Sequence, residues 1–314
     1  MNILITGVTG FVGKYLTKYL LEQNSDVKIF GTYIDDREYE NSKNELKNVD
    51  LIKCDIASET DIKNIIRKIK PDYIYHLAAM SSGNESEREK VFQVNVNGTM
   101  NILKECQKID KKVRVLLAST SYIYGSSEKC QPFLETDEEN PVGIYAESKL
   151  EMEKRAKEYL SDKIEIIISR AFNHTGPGQT DNFVVPAFAK QIAEIEKGLI
   201  DPILRVGNLE AVRDFLDVRD VIRVYHLLLT KGKSGEIYNV ASGKKYSIKE
   251  ILNKLLSYSK KQITIEKDPD RMRPSDIACS VGDYGKIKTE LGWYPEIDFN
   301  KTLRLTLDYW RDKI

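Results

Sequence analysis

A doubly wound α/β fold with a mostly parallel sheet, extended by a smaller C-terminal α/β part, is predicted by three features of the sequence. Short apolar runs alternate with amphipathic stretches through residues 1–170. The runs lack the in–out alternation of a half-solvated sheet, so helices should cover both sheet faces. Beyond Arg170 a Gly-rich loop and irregularly spaced elements replace that rhythm.

Residues 2–6 are an apolar run ending at a glycine and read as strand one. Leu16, Tyr19 and Leu20 then share one face of a helix. Residues 27–32 and 51–54 read as strands two and three, and a helix over 62–69 is stopped by Pro71. Strand four at 73–77, a long helix at 91–106, strand five at 113–118, a long helix at 144–159 and strand six at 164–168 follow. Further on, helices are predicted at 185–197, 248–258 and 302–310, with short strands near 237–240 and 263–266. The division is drawn between 1–170 and 171–314, with later segments returning to the first part. No linker rich in Gly, Ser and Pro separates the parts, so they should share an interface and a cleft.

Lys plus Arg and Asp plus Glu both number 48, which gives no reason to expect nucleic acid or an anionic membrane as a general partner. The opening MNILITG lacks the parts of a signal peptide, and no run approaches the roughly 18 apolar residues of a membrane helix. Cys54, Cys106, Cys130 and Cys279 show no metal-type spacing and read as free core thiols of a reducing compartment. His76, His174 and His226 are too few and too scattered for zinc. A cytoplasmic protein without a metal is expected.

The first chemical signal is a glycine turn between strand one and its helix: Gly7, Thr9, Gly10, Phe11, Val12 and Gly13. Glycines let the backbone approach a pyrophosphate, and the helix N-terminus offers N–H donors, as in a Rossmann-type dinucleotide site. Strand two ends on Gly31 and Thr32, where an acidic residue would favour NAD; Gly31 instead removes a clash with a 2′-phosphate, and Arg37 is the only nearby cation, beside Asp35 and Asp36. This favours NADP(H), with NAD(H) open. Asp55 and Ile56 end strand three, where a carboxylate suits the adenine amino group, although Asp55 also reads as a helix cap. Leu77, Ala78 and Ala79 end strand four, where small residues let a cofactor lie on the backbone.

Tyr145 and Lys149 stand one turn apart on a helix face. The lysine cation should lower the tyrosine pKa towards neutrality. Strand five runs into Thr120, which places a hydroxyl at the carboxyl end of the sheet, where ligands bind in such folds.

With GxxGxxG, Asn95 in the middle of the fourth helix, the segment from Thr120 to Gly125 and YxxxK in order, the chain resembles the extended short-chain dehydrogenases/reductases. The resemblance implies Tyr145 as acid/base, Thr120 as hydrogen-bond partner of the reacting oxygen and Lys149 as electrostatic aid and ribose contact. It also implies a role for Asn95 and a homodimer through the two long helices.

Cations suited to a diphosphate follow at Arg213 and Arg273, and Asn173 suits a sugar hydroxyl or phosphate. The segments NHTGPGQ, FAKQIAEIE and GNLEAVRDF resemble the branch of GDP-mannose 4,6-dehydratase and GDP-6-deoxy-4-keto-D-mannose reductase, more the reductase. That branch implies GDP-sugar contacts from Ser121, Tyr122, Asn173, Lys190, Arg213 and Arg273. Two positions depart from the dehydratases: Tyr122 replaces their elimination carboxylate, and Ile34 and Asp35 replace the arginines that grip a 2′-phosphate and support a tetramer. A phenol with an ordinary pKa of about 10 is a poor substitute for that carboxylate.

The leading expectation is NAD(P)H-dependent reduction of the C4 ketone of a GDP-4-keto-6-deoxy-hexose, giving a sugar such as GDP-D-rhamnose. The alternatives are a redox-neutral 4,6-dehydratase or C4-epimerase with tightly bound NAD(P), and a non-catalytic dinucleotide-binding regulator. Retention of both Tyr145 and Lys149 speaks against the last.

Overall fold

The computed structural model describes residues 1–24, 26–81, 85–127, 129–272 and 277–314. The first part runs β1 (Asn2–Thr6), α1 (Phe11–Gln23), β2 (Lys28–Tyr33), α2 (Asp36–Ser42), β3 (Asp50–Lys53), α3 (Glu59–Ile69), β4 (Tyr73–His76), α4 (Arg88–Phe92), α5 (Gly98–Cys106), β5 (Val113–Thr120), α6 (Ile144–Ala156) and β6 (Ile164–Ala171). The second continues with β7 (Asn173–Thr175), α7 (Val184–Glu196), β8 (Ile203–Val206), β9 (Val212–Arg213), β10 (Phe215–Asp217), α8 (Val218–Lys231), β11 (Ile237–Val240), β12 (Tyr246–Ser247), α9 (Ile248–Leu256), β13 (Thr264–Lys267), β14 (Cys279–Ser280), α10 (Gly285–Leu291) and α11 (Phe299–Lys313).

Seven strands form one sheet in the order β11-β6-β5-β4-β1-β2-β3, every pairing parallel. Successive strand residues point to opposite faces. Ile3 and Ile5 therefore join a core with Leu16, Leu20, Val221 and Leu228, while Leu4 joins Ile62, Ile66, Leu103 and Met152 on the other side. Each such side chain, fully buried, contributes roughly 1.5–3 kcal/mol. A third core gathers Phe188, Ile192, Leu252, Leu303 and Trp310 from α7, α9 and α11. Small sheets β12-β9-β14, β10-β7 and β13-β8 complete the second part.

Four expectations are corrected. The helix predicted at 91–106 is interrupted by a π-helical turn at Gln93–Asn97. That turn holds Asn95 inward, where its amide bonds the backbone N–H and C=O of Met80 at 2.8 and 3.0 Å and Ser148 at 2.9 Å. Strand five continues two residues further, so that Thr120 is its last residue. Helix α8 was not anticipated, although Val218, Val221, Ile222, Tyr225, Leu228 and Leu229 recur at helical spacing and Asp217 caps its N-terminus, accepting from Arg219 N at 2.8 Å. Of the four cysteines only Cys54 and Cys106 are free and buried; Cys130 and Cys279 form a disulfide with Cα atoms 5.4 Å apart. The loop after β5 reaches β14 through Ser127 N donating to Cys279 O at 2.9 Å. That adjacency is invisible across 149 residues of sequence.

Among the described residues no helix is long and apolar enough to cross a membrane, and no cluster of His, Cys, Asp or Glu is built to hold a metal ion.

Candidate active site

Gly7 carries the chain out of β1 at φ +69, and a Cβ there would stand 3.0 Å from the Cα and N of Ala78. Glycine therefore permits both the turn and the close approach of two strand ends. Helix α1 starts after Gly10 with, among the described residues, no side-chain cap and no acidic residue in its first turn. Its first N–H groups and dipole thus suit an anion such as a pyrophosphate. Phe11 stacks on His174 at 6.5 Å, and Tyr15 Oη donates to Pro177 O at 2.8 Å, which packs the 173–179 segment against α1. Val12 packs on the core beneath the turn, and Gly13 is buried in α1.

Several predicted cofactor contacts take other places. Thr32 is buried and accepts from Gly7 N at 3.2 Å, so it supports the turn from below. Gly31 is not there to admit a 2′-phosphate. A Cβ on it would meet Val8 Cγ1 at 2.4 Å, and its face is the core face. Thr9 donates its hydroxyl to Glu38 Oε2 at 3.1 Å. Arg37 is 91% exposed and pairs with Asp35 at 3.5 Å, while Asp36 pairs with Lys53 at 2.8 Å. Asp55 is exposed and accepts from Ala57 N at 2.9 Å; the cap of α3 is Ser58. Ile56 is buried, and Leu77, Ala78 and Ala79 are half-buried after β4.

A buried hydrogen-bond chain fixes the β4 end. Thr6 Oγ1 accepts from Ala78 N at 3.2 Å and bonds His76 Nδ1 at 2.7 Å. His76 Nε2 bonds Thr99 Oγ1 at 2.8 Å, and Thr99 donates onward to Asn95 O at 2.7 Å. The Thr99 hydroxyl is thereby committed as a donor, so His76 carries its proton on Nε2. Burial pushes this imidazole down to about 3, and the Lys149 charge adds to the effect, so His76 stays neutral.

Thr120 Oγ1 accepts from Tyr122 N at 3.3 Å, turning the chain from β5 into the 3-10 turn Ser121–Ile123, where Ser121 is buried. Tyr145 lies in the first turn of α6, with Lys149 one turn on. Lys149 is 1% exposed; its ammonium donates to Ala118 O at 2.7 Å and stands 5.9 Å from the Tyr145 ring centre. Burial pushes Lys149 down to about 8, opposed by Glu153. The expected lowering of Tyr145 is not found. Its half-buried phenol is pushed up, first by desolvation, then by Tyr225 and Tyr122. Lys149 spends its nearest hydrogen bond on a backbone carbonyl, so desolvation wins. A phenol held protonated at neutral pH is the state needed to give a proton to a forming alkoxide.

Sequence reasoning missed two buried partners of this set. Glu153, four residues beyond Lys149, is held by Arg170, whose Nε lies 3.2 and 3.1 Å from its two carboxylate oxygens and whose Nη2 lies 2.7 Å from Oε2. The i+4 spacing from Lys149 was a readable signal.

On the other wall, Tyr122 Oη donates to Asn173 Oδ1 at 3.3 Å and Asn173 Nδ2 to Asp214 O at 3.3 Å. Asp214 is buried and accepts from Ser242 N at 2.8 Å, Ser242 Oγ at 2.6 Å and Gly243 N at 2.8 Å. Arg213, next in the chain, is 8% exposed on β9, with Nη1 donating to Val212 O at 2.9 Å. Tyr122, Asn173 and Arg213 thus stand on connected segments. Lys190 instead pairs with Asp181 at 2.7 Å and lies over the Trp310 ring at 5.7 Å, in the seam of α7 and α11. Arg273 lies outside the described residues.

The family model described as GDP-mannose 4,6 dehydratase matches residues 4–306. A GDP-6-deoxy-D-mannose reductase of Pseudomonas aeruginosa is 31% identical over 317 residues, covering 100% of this chain and 98% of the relative. A GDP-6-deoxy-D-talose 4-dehydrogenase of Aggregatibacter actinomycetemcomitans is 31% identical over 293 residues, covering 93% and 92%. The structure of RMD from Pseudomonas aeruginosa complexed with NADPH superposes with a TM-score of 0.84 at 29% identity, covering 100% of this chain and 99% of that one.

Proposed function

The chain belongs to the GDP-mannose 4,6-dehydratase family, a family of NAD(P)-dependent nucleotide-sugar enzymes, and we propose that within it the protein reduces the C4 ketone of a GDP-4-keto-6-deoxy-hexose. The observation that carries this reading is Tyr122. Where the dehydratases hold a carboxylate for elimination, this chain holds a phenol engaged with the neutral Asn173 amide. Exchanging that carboxylate for a phenol removes the group that would take the proton from carbon in an elimination. The reductase relative supports the same reading.

The nicotinamide, when bound, supplies the hydride. The uncapped N-terminus of α1, the Gly7 turn and the Ala78 backbone fit the dinucleotide. Thr120 orients the ketone oxygen, Tyr145 gives its phenolic proton to that oxygen as it gains charge, and Lys149 steadies the resulting phenolate until solvent returns the proton. Asn173 and Arg213 hold the sugar and its diphosphate, joined by Ser121, Lys190 and Arg273 in the reading carried from sequence.

NADP(H) is the favoured form, with NAD(H) accepted. The Pseudomonas aeruginosa structure with NADPH supports this, as does the exposed Arg37 just beyond β2, while Glu38, held by Thr9, opposes it as a like charge. The protein would act as a homodimer through α5 and α6 in the cytoplasm, where a reducing environment would hold Cys130 and Cys279 as thiols.

The test is to mix the purified protein with GDP-4-keto-6-deoxy-mannose and NADPH and follow the reduced-nicotinamide absorbance. Stoichiometric oxidation, absent in Tyr145→Phe, is expected. Conversion of GDP-mannose to a keto sugar without added cofactor, and no oxidation, would overturn the reading in favour of a redox-neutral dehydratase.

A further inference from the structure

One turn beyond Lys149 on α6 lies a buried carboxylate, Glu153, that the reaction as described does not use. Glu153 and Arg170 are each 1% exposed, as is Lys149 itself. In the β5–β6 register Ser119 lies opposite Arg170, and Thr120 opposite Ala171. Ser119 Oγ donates to one Glu153 oxygen, and the Arg170 fork holds both. Ser119 is flanked by Ala118, which accepts from Lys149, and by Thr120. One carboxylate on α6 therefore clamps two strands at the level of the reacting groups. Arg170 is itself fixed, bonding Glu139 Oε1 at 2.6 Å and lying 4.8 Å from the Tyr124 ring centre.

We propose that Glu153 is a positioning residue for proton transfer: clamped by Arg170 and Ser119, it sets the spacing of α6 from the end of β5 and supplies the buried counter-charge of the Lys149 ammonium. This rests on the reading that Tyr145 and Lys149 carry the proton transfer, whichever nucleotide sugar reacts.

The groups facing Lys149 and Tyr145 leave Glu153 as the anion that matters. From β4 comes His76, which stays neutral, and from β6 the cation Arg170. From α6 itself comes Tyr145, and from the turn after β5 and from α8 come Tyr122 and Tyr225, phenols near Tyr145. Glu139 is engaged by Arg170 and by Lys154 at 3.6 Å. Removing one anion from this set leaves two buried cations with a single partial partner, and a buried lysine answers such a loss by releasing its proton.

The experiment compares wild type, Glu153→Gln, Glu153→Asp and Ser119→Ala. It measures nicotinamide-cofactor binding by fluorescence and the kcat/KM of reduction across pH, with thermal unfolding alongside. Glu153→Gln is expected to move the alkaline limb of both profiles down by about one pH unit, with kcat/KM falling about fivefold at pH 8 and less at pH 6.5. Glu153→Asp should restore part of the shift, and Ser119→Ala should lower the rate without moving the limb. A profile unmoved in Glu153→Gln, with only a lower unfolding temperature, overturns the proposal. If Glu153→Gln does not fold, an unmoved limb in Glu153→Asp overturns it. Failure of the reductase reading shows separately, as absence of turnover in wild type, and leaves the binding profile to decide the role of Glu153.

Discussion

The Thr9 hydroxyl, inside the glycine turn, donates to the Glu38 carboxylate on α2 at 3.1 Å. This brings an anion to the end of β2, where doubly wound sheets bind the adenosine ribose. A 2′-phosphate there meets Glu38 as a like charge. Glu38→Gln is therefore expected to tighten NADPH by about three- to tenfold and leave NADH within about twofold, as measured by fluorescence titration at low salt. Equal effects on the two cofactors would remove Glu38 from the ribose site.

Tyr145→Phe removes the proton donor and little else. The expected loss in kcat is about 10²- to 10⁴-fold with cofactor affinity nearly unchanged. Rates from single turnovers, together with cofactor titration, check both halves of this expectation.

Tyr122→Phe tests the wall opposite. It deletes the donor to Asn173 without emptying the volume. A net hydrogen bond is worth about 1 kcal/mol, so a rise in KM of about fivefold with kcat largely kept is expected from initial-rate kinetics. A collapse of kcat instead would place the Tyr122 hydroxyl on the reacting atoms.

His76 sets an acid limit on stability. Its folded-state value is about 3, against an ordinary 6.5. Below pH 6.5 the unfolded chain takes up a proton that the folded chain refuses, so stability present above that pH is lost as the pH falls towards 3. The expected slope is about 1.4 kcal/mol per pH unit from this group. Urea unfolding at pH 7, 6 and 5 should show it, and His76→Gln should flatten it.

The Cys130–Cys279 bond joins the loop after β5 to β14, beside Arg213 on β9. Its reduction is expected to lower stability by roughly 2–4 kcal/mol, read from denaturant midpoints with and without dithiothreitol. An unchanged midpoint would mean that the packing of Ser127 and Phe133 against β14 holds the loop unaided.

Much of the site was legible because local pattern and chemistry agree there. The β1 run, the glycines and α1 punctuate one another, and Tyr145 and Lys149 need only helical spacing to meet. The Arg170 fork on Glu153 was hidden because it depends on the β5–β6 register, which no short window contains. The π-helical turn at Gln93–Asn97 was hidden for a similar reason: Asn95 is drawn inward by Met80 and Ser148, partners from two other segments. Gly31 was misread although its phase was available. It shares a strand face with Ile29, a core residue, and so had to point at Val8 rather than at a ligand.

Strand β11 bonds β6 from Ile237↔Ile168 to Val240↔Ala171, yet 65 residues lie between the end of β6 and its start. Elements β7, α7, β8, β9, β10 and α8 are spliced into that interval. The two parts therefore cannot be cut apart at residue 170. A 1–170 fragment would present β6 as a bare edge rich in isoleucine, a template for self-association. During synthesis the sheet stays open on that side until the elements from β7 to α8 have left the ribosome. The third core draws α7 from before β11 and α9 and α11 from after it, so the chain crosses between the two parts more than once and no single excised segment carries that core.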